Sequence, residues 1–153
     1  MTDAKSRSLE ALAEEIFDLT TLSWRARSRQ RSKGGADLGE TEFLALDLLV
    51  RKEPRSVGEL QRSIGIQPAQ MSRVIRSLEG KHGRSFIQCG INPTDKRRID
   101  VRATEAGQRA HRTYRAARVQ TTVSVLGQLR ERDRTEFMRL LRLIRGLLVQ
   151  QLP

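Results

Sequence analysis

The side chains best suited to contact another molecule are polar and cationic groups spaced along one predicted helix. Ser72, Arg73 and Arg76 fall on one face of this helix, and the opposite face is apolar. Hydroxyl and guanidinium groups on the outer face of a helix can bind phosphate oxygens and donate hydrogen bonds to base edges in the major groove. Lys96 and Arg97 add a second basic group in a predicted turn. The candidate nucleic-acid contacts are Gln67, Ala69, Gln70, Ser72, Arg73, Arg76, Lys96 and Arg97.

Two helices joined by a tight turn position the first of these groups. Ser56 and Glu59 are spaced as a capping box at the start of a short helix, and Gly65 is placed to end that helix in the left-handed conformation. The spacing predicts the next helix over Pro68–Lys81, because proline is tolerated at a first helical position. Its inner face is Met71, Val74, Ile75 and Leu78. A short turn between two such helices is typical of a helix-turn-helix unit.

A β-hairpin is predicted directly after this unit. Phe86–Cys89 forms one short strand, and Arg98–Arg102 forms another in which polar and apolar residues alternate. The Asn92-Pro93 pair is a turn signal between them. A hairpin in this position makes the winged variant of the helix-turn-helix, and we expect its tip to reach the adjacent minor groove or backbone.

Long helices flank the winged part. Apolar positions recur at helical spacing over about Ser8–Arg29, and a second helix is predicted at Glu40–Lys52, where Pro54 follows. A long helix begins at Glu105, with Thr104 as its cap, and a break is expected near Leu129–Asp133.

The last predicted helix carries an apolar stripe that is too extensive for a free surface helix. The stripe comprises Phe137, Leu140, Leu141, Ile144, Leu147 and Leu148. We therefore expect the terminal helices to form a homodimer interface, with packing inside one chain as the alternative. The basic stretch Arg25–Ala36 is interpreted as a helix end and solvated loop, with a DNA-contacting arm as the alternative.

Composition limits the class of protein. The 153 residues carry a formal net charge of +11, to which residues 1–50 contribute −2, residues 51–103 contribute +7 and residues 104–153 contribute +6. A basic middle favours a polyanionic partner. No run of about 18 apolar residues is present, and the N-terminus lacks the apolar core of a signal peptide, so we expect a cytoplasmic protein without a membrane span. One cysteine and two histidines exclude an internal disulfide and a Cys/His zinc cluster.

The sequence resembles the MarR family of bacterial and archaeal winged-helix regulators over about Leu38–Leu148, most of the chain. The residues that carry the resemblance are Ser56–Leu60, Met71–Glu79, Asn92–Arg98 and Val101–Gly107. The resemblance implies an obligate homodimer that binds a pseudo-palindromic operator, usually to repress transcription, and is released by a small ligand or an oxidant. A small phenolic or other aromatic molecule is the expected effector.

The resemblance also implies residue roles. Arg97 falls on the wing arginine that enters the minor groove. Asp95 falls on the wing acid that pairs with that arginine and fixes its direction, so its expected role is structural. The stretch Gly83–Cys89 departs from the family pattern, because it carries two extra residues, Arg84 and Ser85, and has Cys89 in place of the usual arginine. The register of the wing base is therefore left open.

Four single residues need separate interpretation. Cys89 is interpreted as a small buried hydrophobe, with redox sensing as the alternative. His82 and His111 have no partners at metal-ligand spacing and are predicted to be surface residues. Trp24 is interpreted as a packing residue, with a place in an effector pocket as the alternative.

The sequence thus predicts a mainly α protein with a small β-hairpin, forming a single domain over residues 1–153. Residues 38–103 are the expected winged helix-turn-helix part, and residues 8–31 and 104–152 the helical dimerisation part. The expected function is that of a transcriptional repressor that binds double-stranded DNA sequence-specifically. No cofactor, metal or catalytic residue is expected. The alternative is a sequence-tolerant architectural DNA-binding protein.

Overall fold

A computed structural model describes residues 2–30, 38–80 and 83–151. The chain divides into two compact units, residues 1–37 and 38–153. Within these described ranges, six helices and a small antiparallel sheet confirm the predicted mainly α class with a β-hairpin. The elements are α1 Thr2–Gln30, α2 Glu40–Arg51, β1 Arg55–Ser56, α3 Val57–Ile64, α4 Pro68–Gly80, β2 Ile87–Ile91, β3 Ile99–Ala103, α5 Glu105–Leu126 and α6 Glu131–Gln151.

The first unit is the helix α1, which begins six residues before the predicted start and ends one residue after the predicted end. Its described side chains, at residues 6–26, are all exposed or half-buried. The large apolar ones that are exposed are Leu9, Leu12, Ile16, Phe17, Leu19, Leu22 and Trp24. Residues 31–36 of the basic stretch Arg25–Ala36 lie outside the described residues.

The second unit has its core between α2, α3, α4, the sheet and the start of α5. Its buried apolar side chains are Leu38, Ala45, Leu46, Leu49, Leu60, Met71, Val74, Leu78, Phe86, Ile87, Val101 and Ala110. On α4 the buried residues are three of the four predicted inward positions, and the fourth, Ile75, is half-buried. Packing of this kind fixes which face of α4 remains outside.

The sheet has three antiparallel strands in the order β1-β3-β2. Ile87 pairs with Ala103 and Ile91 with Ile99, so each hairpin strand is displaced by one residue or more from its predicted range. The strand β1 was not predicted from the sequence. It has two residues, too few for a periodic pattern, and it exists because Arg55 and Ser56 pair with Val101 and Asp100.

The start of α5 lies against the backbone that precedes the wing. Thr104 is the predicted N-cap: its hydroxyl accepts a hydrogen bond from the Gly107 N–H at 3.1 Å and donates one to the Ser85 carbonyl at 2.7 Å. A Cβ atom on Gly107 would lie 2.0 Å from the Phe86 carbonyl oxygen. Only glycine permits this close approach of α5 to the wing base.

His111 is buried, which makes the prediction of a surface residue wrong. The residue is 6% exposed, its Nε2 lies 2.9 Å from Asp47 Oδ1, and its ring stacks on the Phe43 ring with the centroids 5.0 Å apart. Burial occurs because Gly107, Ala110 and His111 form one face of α5 that packs on α2. His82 lies outside the described residues.

Asp47 holds this contact as a carboxylate. Burial by itself raises the pKa of Asp47, but hydrogen bonds and attraction from Arg51 and His111 outweigh that effect and hold the pKa below its usual value. The pair therefore joins α2 to α5 through an ionised group at neutral pH.

The last two helices are separated by a break at residues 127–130, which overlaps the expected break. All described residues of α6 are exposed, including the whole predicted apolar stripe. Among the residues that the structure describes, no helix combines the length and the apolar character needed to cross a membrane.

Candidate nucleic-acid interface

The turn between α3 and α4 is built by local chemistry. The Ser56 hydroxyl accepts from the Glu59 N–H at 3.2 Å and the Glu59 carboxylate accepts from the Ser56 N–H at 2.6 Å, which confirms the capping box. Gly65 ends α3 at φ 74° and ψ 34°, the left-handed conformation that a side chain disfavours. The helix α4 then begins at Pro68 as predicted, so the two helices are joined by a three-residue turn.

The outer face of α4 is exposed along its length. The exposed positions include Gln67, Ala69, Gln70, Ser72, Arg73 and Arg76, which are the helix residues that the sequence singled out. Lys81, the predicted last residue of this helix, lies outside the described residues. The exposed set combines amides, a hydroxyl and two guanidinium groups, which are the groups that proteins use on base edges and phosphates.

Two of these side chains are oriented by their own helix. The Ser72 hydroxyl donates to the Pro68 carbonyl at 3.1 Å, and Arg76 Nε donates to the Ser72 carbonyl at 3.3 Å. Arg73 makes no hydrogen bond or ion pair with the rest of the described chain. Arg73 is therefore the arginine of α4 whose whole guanidinium is available to a ligand.

The wing turn is organised by Asn92, whose role the sequence indicated only as a turn signal. Its side-chain oxygen accepts hydrogen bonds from the Thr94 N–H, the Thr94 hydroxyl and the Asp95 N–H at 2.7–2.9 Å. Its amide nitrogen donates to Asp100 Oδ2 at 2.7 Å. One side chain thus ties the tip of the wing to β3.

Asp95 acts on the backbone in this structure. Its carboxylate accepts from the Arg97 N–H at 3.0 Å, and its carbonyl accepts from the Arg98 N–H at 2.9 Å. In the described part of the chain it forms no ion pair with the Arg97 guanidinium, in contrast to the pairing that the resemblance implied. Lys96 and Arg97 both project into solvent from this turn.

The wing is also joined to α3. Arg98 Nη2 lies 3.3 Å from Glu59 Oε2, the same oxygen that accepts from the Ser56 N–H. Hydrogen bonds from the Ser56 N–H and hydroxyl, with attraction from Arg98, hold the pKa of Glu59 below its usual value. Glu59 therefore remains ionised at neutral pH, and it serves the cap and the wing together.

The two extra residues at the wing base are accommodated before β2. The Ser85 carbonyl accepts from Thr104, the Ser85 hydroxyl donates to the Ile87 carbonyl, and the Phe86 N–H donates to the Leu78 carbonyl at 2.8 Å. Arg84 is exposed in this loop. The insertion therefore leaves the pairing of β2 with β3 intact from Ile87 onward.

Cys89 is half-buried on β2. Desolvation, together with a hydrogen bond to Glu79 and repulsion from its charge, raises the pKa of the thiol to about 11. The thiolate is the reactive form of cysteine, so Cys89 is almost entirely unreactive at neutral pH. This environment favours the packing interpretation over redox sensing.

We expect Cys89 to react with a disulfide reagent roughly 100-fold more slowly in the folded protein than in urea at pH 7.5, because the thiolate population falls by about that factor. A stopped-flow thiol assay with and without denaturant measures the ratio. Equal rates, or a sulfenic acid trapped by dimedone after peroxide, would contradict the expectation.

A compact helical unit with an exposed polar helix after a tight turn, followed by a basic hairpin, defines a winged helix-turn-helix protein. Residues 38–99 match the model of the MarR family. This match covers most of the winged-helix part and confirms the resemblance to the MarR family drawn from its motifs. Members of this family are transcriptional regulators and not enzymes.

Solved structures share this fold at low sequence identity. A MarR family protein from Bacillus stearothermophilus is 15% identical, with a TM-score of 0.80, covering 94% of this chain and 97% of its own. A mutant MepR of S. aureus bound to an oligodeoxyribonucleotide is 14% identical, with a TM-score of 0.62 and coverage of 89% and 96%. The PcaV regulator of Streptomyces coelicolor in complex with its natural ligand is 19% identical, with a TM-score of 0.57 and coverage of 88% and 89%. No protein with a curated description matches the chain.

No cation site stands out beside this interface. Within residues 2–30, 38–80 and 83–151, no three or more His, Cys, Asp or Glu side chains are grouped so that they could hold a metal ion. The chemistry of the described site is that of hydrogen bonding and charge.

Proposed function

We propose that the protein is a sequence-specific, DNA-binding transcriptional repressor that acts as a homodimer on a pseudo-palindromic operator. The observation that carries the proposal is the exposed polar face of α4, with Arg73 unengaged and the Lys96–Arg97 wing tip in the same unit. Such a helix suits the major groove and such a wing suits the minor groove or backbone. A cytoplasmic location follows from a chromosomal target.

The dimer is supported by apolar surface that one chain leaves uncovered. On α6, nine of the thirteen residues from Phe137 to Val149 are large and apolar, and all nine are exposed. The apolar side chains of α1 are also exposed. A helix that is apolar around most of its circumference requires burial, and a second copy of the same chain supplies a matching apolar face.

Release by a small aromatic ligand is the regulatory part of the proposal. Support comes from the PcaV structure, which is described as a complex with its natural ligand, and from the exposed Trp24 on α1. The repressor role follows the usual behaviour that the family resemblance implies. Loss of operator binding on addition of phenolic compounds would test the ligand release.

Selection of bound fragments from random DNA, followed by footprinting, tests the proposal. We expect a dyad whose half-sites lie about one helical turn, ~10 bp, apart. We also expect affinity for the selected site to exceed affinity for random DNA by at least about 10³-fold. A ratio near unity without a dyad would instead support the architectural alternative, in which charge alone binds DNA.

We expect Arg97→Ala to weaken binding to all DNA sequences, because its proposed contact is made through charge in the wing. The slope of log affinity against log salt should fall by about 1.8, because the dimer carries Arg97 twice and each phosphate contact contributes about 0.9. Arg73→Ala should instead change the selected sequence, since a good base contact is worth roughly 1–3 kcal/mol of discrimination.

Arg132→Ala, on α6, is the matched control because it removes the same charge from an exposed position. Fluorescence anisotropy over a salt series measures all three variants. Equal slopes for the two substitutions Arg97→Ala and Arg132→Ala would contradict a specific wing contact and indicate diffuse attraction.

A further inference from the structure

The buried carboxylate of Glu42 links two helices that the proposed function treats separately. Glu42 lies in the first turn of α2 and is 8% exposed. Its Oε2 accepts from the Gly39 N–H at 2.5 Å, which closes the N-terminus of α2. Its Oε1 accepts from the Ser77 hydroxyl at 2.5 Å, on α4 and 35 residues further along the chain. The two oxygens thus serve two different helices.

Ser77 occupies a position that is sensitive to rotation of α4. At about 100° per residue, Ser77 lies beside the buried Val74 on one side and about 40° from Arg73 on the other. The other buried side chains of α4, Met71, Val74 and Leu78, are apolar, and its further polar links lie near its C-terminal end, where the Leu78 carbonyl accepts from the Phe86 N–H at 2.8 Å and Glu79 bonds to Cys89. Apolar packing is non-directional, whereas a hydrogen bond to a charged acceptor prefers a narrow range of distance and angle.

The other side of α2 is itself held in place, so Glu42 has a rigid base. Phe43 stacks on His111 and on Tyr114, with ring centroids 5.0 Å and 4.5 Å away, and Asp47 Oδ1 lies 2.9 Å from His111 Nε2. These contacts attach α2 to α5. A hydrogen bond from α4 to Glu42 therefore connects α4 to the helix pair formed by α2 and α5.

We propose that Glu42 is a positioning residue for DNA recognition: through Ser77 it fixes the rotation of α4 about its axis, and thereby the direction of Arg73 and its neighbours toward the bases. The inference rests on the proposed function for its effect on DNA. Recognition side chains must be held within about 0.5 Å and 10–20° to be selective, whereas phosphate attraction tolerates much larger displacements. Loss of the hydrogen bond should therefore impair discrimination between sequences more than affinity for DNA in general.

The test compares Ser77→Ala and Glu42→Gln with Ser63→Ala, the same side-chain change at an exposed position of the neighbouring helix α3. Glu42→Gln keeps the size of the side chain but removes its charge and one of the two acceptor oxygens, so it weakens the link to Ser77 and serves if Ser77→Ala fails to fold. We expect the ratio of affinities for the selected operator and random DNA to fall about fivefold to tenfold in each of the two variants. Affinity for random DNA and the salt slope should stay within twofold of the parent, and the double variant should fall no further than the stronger single one.

A second measurement needs no DNA. Amide residual dipolar couplings of α4 in the free protein report the orientation of that helix, and we expect them to change in Ser77→Ala and Glu42→Gln but not in Ser63→Ala. Unchanged couplings, or equal losses of affinity for operator and random DNA, would overturn the proposal. If the parent protein shows no preference for any sequence, the proposed function fails, and the couplings still decide whether Glu42 positions α4.

Discussion

Gly107→Ala should be the most destabilising small substitution in the winged unit. The new methyl group would lie 2.0 Å from the Phe86 carbonyl oxygen and 2.9 Å from its carbon, and both atoms belong to backbone. The Phe86 carbonyl also accepts from the Thr104 N–H at 3.0 Å, so it cannot move without breaking a bond at the start of α5. We expect a loss of about 3 kcal/mol in the free energy of unfolding, or about 10 °C in Tm.

Gly58→Ala provides the matched control, because Gly58 also lies in the first turn of a capped helix. An added Cβ there meets only the flexible end of Arg62, at 3.6 Å. Stability should be unchanged or rise by up to about 1 kcal/mol, since alanine restricts the unfolded chain more than glycine does. Urea and thermal unfolding followed by circular dichroism measure both variants. Similar stabilities for the two variants would contradict the prediction, because they would show that the Phe86 backbone can move away from the added methyl group at little cost.

A second large effect is expected from introducing charge into the apolar stripe of α6. Ile144 and Leu148 lie one turn apart on one face and are 43% and 56% exposed in the single chain. Burial of such a side chain contributes roughly 1.5–3 kcal/mol, and a symmetric dimer buries each residue twice. The double substitution Ile144→Glu with Leu148→Glu should therefore raise the dimer dissociation constant by at least about 10⁴-fold.

Sedimentation velocity at micromolar concentration gives the oligomeric state. The control is Thr135→Glu with Gln150→Glu, which adds the same two carboxylates to the opposite face of α6 and should leave the dimer intact. Because linked half-sites bind cooperatively, the monomer should bind the operator about 10²-fold more weakly than the dimer. A dimer that survives the first pair of substitutions would place the interface elsewhere.

Local chemistry explains why the helix-turn-helix could be predicted from the sequence. Ser56 with Glu59, Gly65 and Pro68 each act within a few residues of themselves, so their spacing is sufficient. The exposed contact face of α4 followed from the same periodicity.

The features that escaped prediction depend on partners distant in the chain. Strand β1 exists only through its pairing with β3, and Glu42 looks like any acidic residue in a first helical turn until Ser77 is brought to it. His111 was misjudged because residue type suggested a surface position. The spacing of Gly107, Ala110, His111 and Tyr114 is that of a helix face, and it carried a usable signal of burial.

The two-residue strand β1 couples the wing hairpin to the start of α3. Ser56 pairs with Asp100 in the sheet and is also the N-cap residue of α3. Separation of the hairpin from β1 therefore displaces Ser56 and breaks the N-cap of α3. Fraying of α3 at its start likewise weakens the pairing of Ser56 with Asp100 in the hairpin. In the language of local unfolding, the base of the wing and the first helix of the helix-turn-helix open together as one cooperative unit.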